Sequence, residues 1–317
     1  MTGVSFDLLV IGDVNPDVVL GPVTGLEFGQ REQLVEHGRL VLGGSAAITA
    51  CGAARLGLRV AFAGRAGDDP AGAFVRQALA ARGVDVGHLV VDPQLPTPLT
   101  AIVTTGDGDR AILTSSGCLA ATGPQDVPAE LLASARHVHS ASFFLMPLLA
   151  RSLADVFARA RAHGATTSLD TNDDPAARWD HTFLDPVLKV TDLLLPNAAE
   201  ARALSGEAQL ADAAVSLARS GPTVVVKDGA HGALARGGTE VVRVGALPVD
   251  PVDTVGAGDS FDAGFVAARL RGLDLSASLA VAVACGSLST RAHGGTAAQP
   301  TWDEACAVSD LNLKGNG

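Results

Sequence analysis

Tyrosine is absent from this 317-residue chain, and aromatic residues make up only 4% of it. Charged residues are also scarce, at 18%, whereas hydrophobic residues reach 47%. This balance excludes intrinsic disorder, because the chain has much apolar surface to bury and little charge to keep it solvated. No stretch of about 18 apolar residues runs without charges or turn residues, which argues against a membrane span. No basic segment precedes the early apolar run at 6–11, so we expect no signal peptide.

Cysteine is equally rare, and the four residues are far apart with no CxxC pair. This spacing argues against a disulfide framework or a cysteine metal site, and it favours buried free thiols in a reducing cytoplasm. The sequence also lacks a Walker A pattern and a GxGxxG after its first apolar run, so P-loop and dinucleotide-binding proteins lose support. The cysteines are Cys51, Cys118, Cys285 and Cys306.

Basic residues are outnumbered, since 23 Lys and Arg stand against 34 Asp and Glu, and the formal net charge is -11. A protein that coats nucleic acid needs a positive surface, so we expect no nucleic-acid partner, and no membrane partner either. The net charge says little about a small anionic ligand, which local groups can hold.

Apolar runs alternate with helical patterns along most of the chain. The run at 6–11 predicts a buried first strand, and the small residues after Gly43 and Gly44 predict a tightly packed helix. Pro70, preceded by two aspartates that can cap a helix, predicts another helix start. This alternation indicates an α/β fold with a doubly wound, mainly parallel sheet. Further predicted strands are 59–64, 137–142, 165–170, 192–197 and 223–229, and further predicted helices are 146–163, 198–204, 208–219, 257–271 and 276–291.

Two patches in the first half contain strand patterns without helices. Residues 13–42 carry short apolar pieces broken by Gly, Pro and charged residues, and residues 98–115 contain a hairpin pattern around GDGD. The simplest interpretation is one α/β domain over 1–317 with a small β-sheet lid built from these two patches.

The segment DTVGAGDSF at 253–261 carries the strongest chemical pattern. A Gly-x-Gly turn before a long helix exposes unpaired backbone N–H groups and the positive end of the helix dipole, which suits a phosphate. Gly256, Ala257 and Gly258 would form this anion hole. Asp259, directly after it, could take a proton from a hydroxyl group, or it could merely cap the helix.

Seven segments, in order, resemble the ribokinase-like, PfkB-type carbohydrate kinases, and the resemblance covers almost the whole chain. They are LVIGDVNPDVVL (9–20), GGSAAITACGAARLG (43–57), AFAGRAGDDPAG (61–72), LLPNAAEA (194–201), VVVKDGAHGALA (224–235), DTVGAGDSFDAGF (253–265) and ACGSLSTRAHGG (284–295).

The resemblance implies an ATP- and Mg²⁺-dependent kinase that transfers the γ-phosphoryl group to a hydroxyl of a small sugar or sugar-like alcohol. In that family Asp259 matches the catalytic base, and 256–258 matches the anion hole. Asn197 and Glu200 match the motif that organises Mg²⁺ and its waters. In the family's nucleotide-binding segment, the matching positions of this chain are Lys227, Gly229 and Gly232.

The sugar side of the family's site matches residues near the N-terminus. Asn15 and Asp17 match residues that hold substrate hydroxyls, and their spacing of two puts both side chains on one face of an extended segment. A surface turn around the intervening proline is the alternative. Gly43, Gly44 and the adjacent Ser45 match the backbone that lies against the sugar.

Three positions depart from the family pattern. Ile48 stands where relatives usually carry an Asn that contacts a substrate hydroxyl, although a core isoleucine is the simpler interpretation. Val283 stands where several relatives carry an Asn near adenine. Ser45 stands where relatives that accept a phosphorylated sugar usually carry Lys, so we expect an unphosphorylated substrate.

The resemblance also implies a monovalent-cation site and a homodimer. Part of the family binds K⁺ at positions matching Asp253 and the backbone carbonyls of Val255, Ser289, Ala292 and Gly294. A purely structural aspartate that fixes the loop is the alternative. In many relatives the lids of two subunits pair, which also covers open sheet edges.

Two other functions stay open from the sequence. A nucleoside kinase of the adenosine type would use the same chemistry, with Phe28 and Phe143 as candidates for stacking on a base. A non-catalytic sugar- or nucleotide-binding regulator on the same fold is the second alternative. His137 and His139 share one face of a predicted strand, and we interpret them as buried histidines with hydrogen-bond partners rather than metal ligands.

Overall fold

A nine-stranded sheet forms the centre of the protein in this computed structural model, which describes residues 4–106 and 109–315. Its strand order is β13-β12-β11-β10-β9-β8-β1-β4-β5, with parallel neighbours from β5 to β11 and antiparallel ones beyond. The doubly wound, mainly parallel sheet is therefore confirmed. The strands are β1 (Phe6–Ile11), β4 (Val60–Gly67), β5 (Val84–Asp92), β8 (Ala135–Ser140), β9 (Thr166–Leu169), β10 (Leu193–Leu194), β11 (Thr223–Lys227), β12 (Ala233–Gly237) and β13 (Glu240–Val244).

Helices cover both faces of this sheet. Because side chains alternate along a strand, Leu8 and Val10 of β1 face one hydrophobic core while Leu9 and Ile11 face the other. All four are fully buried, as an apolar run in a parallel sheet predicts. The helices are α1 (Ser45–Arg55), α2 (Pro70–Ala80), α3 (Ala129–Leu132), α4 (Pro147–Ala162), α5 (His181–Leu188), α6 (Ala198–Ser205), α7 (Leu210–Ala218), α8 (Ala257–Leu270), α9 (Leu275–Ser289) and α10 (Trp302–Gly315).

The two strand-only patches of the sequence pair with each other in a separate four-stranded sheet. Its order is β3-β2-β6-β7, from β2 (Asn15–Val23), β3 (His37–Gly43), β6 (Leu99–Thr105) and β7 (Arg110–Ser115). The pairs β2–β3 and β6–β7 are antiparallel, whereas β2 and β6, which come from the two different patches, run parallel. Within the GDGD turn, Asp107 and Gly108 lie outside the described residues.

Several elements were not predicted from the sequence. Strand β5 was not assigned, and the antiparallel hairpin β12–β13 extends the edge of the sheet beyond the predicted parallel strands. Helix α5 carries Pro186 in its interior, which hides its helical pattern. Tertiary pairing rather than local propensity fixes these elements.

The four cysteines are free thiols and both histidines are buried, as the sequence predicts, but the buried Nε2 of His139 has no hydrogen-bond partner among the described residues. None of the four cysteines forms a disulfide, and all but the half-buried Cys306 are buried. His137 hydrogen-bonds Thr166 and Ser168, both at 2.7 Å, and His139 shares Ser168. Burial lowers the pKa of both histidines, to about 3 for His137 and about 4 for His139. Among the described residues, no helix is long and apolar enough to cross a membrane.

Asp69 ties helix α2 to the chain that leads into β6. Its carboxylate accepts hydrogen bonds from the backbone N–H of Gly72 at 2.7 Å and from the N–H and hydroxyl of Thr97 at 2.8 and 2.7 Å. Of the two aspartates that the sequence offers as caps, the structure selects Asp69, because the side chain of Asp68 is exposed.

We expect Asp69→Ala to lower the free energy of unfolding by about 1–2 kcal/mol, because the variant loses a helix cap and leaves buried donors unpaired. Asp68→Ala is the matched control and should change stability by less than about 0.5 kcal/mol. Urea denaturation followed by circular dichroism measures both. Equal effects of the two substitutions would contradict the role of Asp69.

Candidate active site

The polar side chains meet at the carboxyl edge of the nine-stranded sheet. Asp13 follows β1, Asp170 follows β9, Asn197 follows β10, and Lys227 ends β11. The chain order reverses around β1, and open α/β sheets bind ligands at the carboxyl ends of strands near such a switch point. Residues that are up to about 200 positions apart in sequence thus share one edge.

Helix α8 begins at this edge with the Gly-x-Gly turn. Gly256 has a φ of 72°, in the left-handed region, and a Cβ there would lie only 2.5 Å from the Cα of Gly295. Glycine is therefore required by both backbone conformation and space. Ala257, Gly258 and Asp259 form the first turn, so their backbone N–H groups start the helix with no side-chain cap.

Asp259 is 8% exposed, and its carboxylate sits among other acidic groups. Burial is the main cause that raises its pKa to about 8, and the negative charge of Asp170 raises it further. A hydrogen bond from Ser45 acts in the opposite direction. An aspartate in this environment is a stronger base than an ordinary one, and the capping interpretation alone does not account for its surroundings.

Ile48 packs beneath the Gly-x-Gly turn. It is 3% exposed, and a Cβ added to Gly256 or Gly295 would contact its side chain at 3.0 or 2.6 Å. The position where relatives usually carry Asn therefore belongs to the core here, which agrees with the simpler interpretation from the sequence. Its methyl groups support the backbone of the two glycines by packing.

Lys227 lies in a buried ion-pair cluster. Its Nζ donates to Asp170 Oδ2 at 2.6 Å and to the two carboxylate oxygens of Asp262 at 3.1 and 3.2 Å. Asp262 is fully buried, and this burial raises its pKa well above the usual range. Burial also acts to raise the pKa of Asp170, but the positive charge of Lys227 outweighs it and holds that pKa below its usual value. The Lys227 ammonium, in the segment that resembles the family's nucleotide-binding segment, is thus already engaged with carboxylates.

Asp262 was not identified from the sequence, although a signal was available. It lies three residues after Asp259, so both side chains project from the same face of α8. Together with Asp170, the three carboxylates have oxygen atoms within 4.8 Å of one another.

Asn197 and Glu200 form a reciprocal cap at the start of α6. The Asn197 side-chain oxygen accepts from the N–H groups of Ala199 and Glu200 at 2.9 and 3.0 Å. The Glu200 carboxylate accepts from the Asn197 backbone N–H at 2.8 Å and from its side-chain amide. Burial raises the pKa of Glu200 to about 7, and the charge of Asp170 adds to it.

A cavity of about 560 Å³ brings the nucleotide-side candidates together. This volume is in the range of small-molecule sites. One end is apolar, with Val283 and the chain at 246–249, and the other end reaches Asp259. Of the residues predicted from the sequence, those in its lining are Asn197, Glu200, Lys227, Gly229, Gly232, Ala257, Gly258 and Asp259.

The sugar-side candidates lie outside this lining but adjoin it through Ser45. Asn172, which lines the cavity, donates to Ser45 Oγ at 3.1 Å, and Ser45 bonds Asp259. The N–H of Ser142 donates to the Asn172 side-chain oxygen at 2.6 Å. Ser142 and Asn172 both have φ in the left-handed region, at 56° and 52°, a conformation that costs energy for residues other than glycine.

Asp13 fixes the loop that carries Gly44 and Ser45. Its buried carboxylate accepts hydrogen bonds from the N–H groups of Ser45 at 3.1 Å and Ala46 at 3.0 Å, at the start of α1. Asp13 was not identified from the sequence, although a carboxylate that closely follows the first buried strand indicates a place at the carboxyl edge of the sheet. Gly44 has a φ of 90°, and a Cβ there would lie 2.7 Å from the Asp13 carbonyl oxygen.

Asn15 and Asp17 lie side by side on β2. The Asn15 amide nitrogen donates to Asp17 Oδ1 at 2.7 Å, and the residues are 5% and 6% exposed. A Cβ on Gly43 would overlap the Asp17 carboxylate, so only glycine leaves room for it. Burial raises the pKa of Asp17 to about 7. The alternative of a surface turn around the intervening proline is excluded by this burial and by the strand.

Asp253 links the loop before α8 to the loop that carries Gly294. Its carboxylate accepts hydrogen bonds from the N–H groups of Val255 at 3.0 Å and Gly294 at 2.9 Å. This arrangement agrees with a structural role for the aspartate. A monovalent cation held with the carbonyls of Ser289 and Ala292 stays a prediction.

Comparisons with known proteins agree with this geometry. The family model for "pfkB family carbohydrate kinase" matches residues 5–302. An ATP-dependent ribose-1-phosphate kinase of Halopiger xanaduensis is 32% identical over 300 residues, covering 95% of this chain and 97% of the relative. A fructokinase of Klebsiella pneumoniae is 33% identical over 286 residues, covering 84% of this chain and 92% of the relative.

Solved structures give the same result for the fold. A PfkB protein from Polaromonas sp. JS666 has a TM-score of 0.79 at 28% identity, covering 95% of this chain and 99% of the other. The ribokinase of Arabidopsis thaliana complexed with ribose and ATP has a TM-score of 0.83 at 24% identity, covering 96% and 98%. This chain belongs to the PfkB family of carbohydrate kinases, phosphotransferases whose acceptor is an alcohol group.

Proposed function

We propose that this protein transfers the γ-phosphoryl group of ATP to a hydroxyl of a small, unphosphorylated sugar or sugar-like alcohol, with Asp259 as the general base. The observation that carries the proposal is the position of Asp259. It lies in the first turn of α8, between the 560 Å³ cavity on one side and Ser45 on the other. Relatives named as ribokinase and fructokinase support a sugar acceptor.

In the proposed reaction, the sugar oxygen attacks the γ-phosphorus while the bond from this phosphorus to the β–γ bridging oxygen breaks, so ADP leaves. The hydroxyl proton passes to the Asp259 carboxylate as the new O–P bond forms. The backbone N–H groups at 256–258 stabilise the negative charge of the migrating group without rearranging, because the helix already fixes them.

Asn197 and Glu200 are the proposed magnesium region. Their oxygen atoms suit a hard cation, which needs only one or two carboxylates and keeps several waters. Magnesium, when bound there with ATP, supplies positive charge to the phosphates. Gly229 and Gly232 lie along the same cavity and would let a nucleotide approach the backbone closely. Activation by K⁺ near Asp253 is part of the proposal.

Lys227 has a proposed indirect role. Because its ammonium is held by Asp170 and Asp262, it offsets their charge beneath the phosphate end of the cavity. A Cβ on Gly258 would lie 3.6 Å from Lys227 Nζ, so this positive charge lies close to the proposed anion hole.

A substrate panel tests the reaction class. We expect ADP release with at least one member of a set of pentoses, hexoses, sugar acids, sugar phosphates and nucleosides. Asp259→Asn should lower kcat by about 10²–10⁴-fold while ATP binding, measured by calorimetry, persists, because only proton transfer is lost. Asp68→Asn, an exposed aspartate with no role in the site, is the control.

Three results would contradict the proposal in different ways. Near-normal turnover by Asp259→Asn would exclude it as the base. ATP binding without turnover of any panel member would favour a non-catalytic regulator. A nucleoside preferred over every sugar would favour the nucleoside kinase, for which Phe143, 3% exposed, is too buried to stack on a base, whereas Phe28 is 92% exposed.

The pH dependence of kcat/KM is a second prediction. The pKa of Asp259 is raised to about 8, so the carboxylate is protonated, and unable to act as a base, below that pH. We expect kcat/KM to rise with pH toward a plateau above about pH 8, because this parameter reports the free enzyme. The residual activity of Asp259→Asn should lack this limb, and a flat wild-type profile from about pH 6 to pH 9 would refute the assignment.

The four-stranded sheet carries the proposed dimer contact. Leu40 and Leu113, on its two edge strands, are 54% and 61% exposed and share the face opposite to Asp17 and Thr100, and a second copy would cover them. We expect a dimeric mass by light scattering at micromolar concentration and a monomeric mass for Leu113→Asp. Leu148→Asp, at an exposed position of α4, should stay dimeric; a monomeric wild type would overturn the dimer.

A further inference from the structure

A chain of hydrogen bonds crosses three strands of the four-stranded sheet and ends at the proposed sugar site. The Asn15 amide nitrogen donates to Asp17 Oδ1 at 2.7 Å and to Thr100 Oγ1 at 3.0 Å. Thr100 Oγ1 lies 3.1 Å from Thr114 Oγ1. The chain thus connects β2 through β6 to β7.

The strand register explains why these side chains meet. Thr100 is directly opposite Asp17 on the neighbouring strand, and Thr114 is directly opposite Thr100 on the next. Directly opposed side chains lie on the same face of a sheet, and Asn15, two residues before Asp17, shares that face. The four polar groups therefore form a row on one face of the sheet.

The chemistry of the donors fixes the direction of this chain. The Asn15 amide turns its nitrogen toward Asp17 Oδ1, which is the orientation that the ionised form of Asp17 requires, because an ionised carboxylate only accepts hydrogen bonds. That nitrogen has two hydrogens, and for the second one Thr100 Oγ1 at 3.0 Å is a nearer acceptor than the Pro16 carbonyl oxygen at 3.4 Å. Thr100 is 7% exposed, so its own hydroxyl hydrogen also needs an acceptor, and Thr114 is the acceptor within reach among the described residues.

The consequence is a pair of oxygen atoms, Asn15 Oδ1 and Asp17 Oδ2, that accept no hydrogen bond from the described residues. Among residues 4–106 and 109–309, none donates a hydrogen bond to Asn15 Oδ1 or to Asp17 Oδ2, while Asn15 and Asp17 are 5% and 6% exposed. Two adjacent acceptors match two neighbouring hydroxyl groups, each of which has a hydrogen to donate. A carboxylate or phosphate brings only acceptors when ionised, and no described Lys or Arg side chain bonds this pair to compensate.

We propose that Thr100, supported by Thr114, is a positioning residue that holds the Asn15 amide oxygen toward the substrate, so that this end of the site selects a neutral vicinal diol. This inference rests on the proposed function, because it assigns the sugar to Asn15 and Asp17. Thr100 does not touch the sugar. It acts by occupying the second amide hydrogen, which removes the alternative orientation of the Asn15 side chain.

Steady-state kinetics of Thr100→Val and Thr100→Ser test the proposal, with the neutral sugar preferred by the wild type as substrate. Valine keeps the shape but removes the hydroxyl, and we expect KM for the sugar to rise about 10-fold with kcat and KM for ATP nearly unchanged. Serine restores the hydroxyl and should restore KM. Thr104→Val is the matched control on the same strand, where the hydroxyl bonds the Leu20 carbonyl instead.

A deoxy analogue of the sugar separates positioning from a general loss of structure. If Thr100 acts through the acceptor pair, Thr100→Val should weaken binding of the parent sugar strongly. The same substitution should weaken binding of an analogue that lacks one of the two hydroxyls much less. A structural role alone would weaken both equally. Thr114→Val, at an exposed position, should raise KM for the parent sugar by a smaller factor, and it carries the test if Thr100→Val does not fold.

The outcomes distinguish this inference from the function on which it rests. A wild type that phosphorylates no sugar overturns both. An active wild type whose KM is the same in Thr100→Val and Thr104→Val overturns only the role of Thr100. A wild-type preference for a sugar acid or a sugar phosphate over every neutral diol overturns the selection of a neutral substrate and leaves phosphoryl transfer intact.

Discussion

The buried contact between the Lys227 ammonium and the carboxylates of Asp170 and Asp262 is the interaction on which the catalytic edge depends. A buried carboxylate without a partner would cost several kcal/mol, and the lysine offsets much of that cost for Asp170, whereas the raised pKa of Asp262 favours its neutral form. The cluster joins the ends of β9 and β11 to helix α8. It therefore holds the proposed anion-hole turn against the sheet, and it keeps the Asp259 carboxyl group close to those of Asp170 and Asp262.

The proposed phosphate side and the proposed sugar side of the site are organised by different physical means. On the phosphate side, charge and helix dipole dominate, because backbone N–H groups and an ion-paired lysine surround the cavity. On the proposed sugar side, the Asp13 carboxylate binds the backbone of the Gly44 loop, and the Asp17 carboxyl group stands among neutral amides and hydroxyls. Ser45 connects the two sides, because its side chain hydrogen-bonds both Asn172 and Asp259.

The separation has a consequence for the negative net charge of the protein. A charge of -11 gives no general attraction for ATP. Local groups have to supply that attraction, and the backbone N–H groups at the start of α8 are the proposed ones. In the four-stranded sheet, Asn15, Thr100 and Thr114 are neutral, and we propose that they act by the direction of their hydrogen bonds to each other and to the Asp17 carboxylate.

The sequence by itself determined what depends on local chain chemistry: the Gly-x-Gly start of α8, the Asn197–Glu200 pair one helical turn apart, the buried run of β1 and the two strand-only patches. These signals lie within a few residues of each other, where helix and strand periodicity apply. Only the tertiary structure decided that Lys227 pairs with Asp170 and Asp262, that Ile48 packs under Gly256, and that Thr100 lies opposite Asp17. Those contacts join distant strands, and their register follows from sheet pairing and core packing rather than from any local pattern.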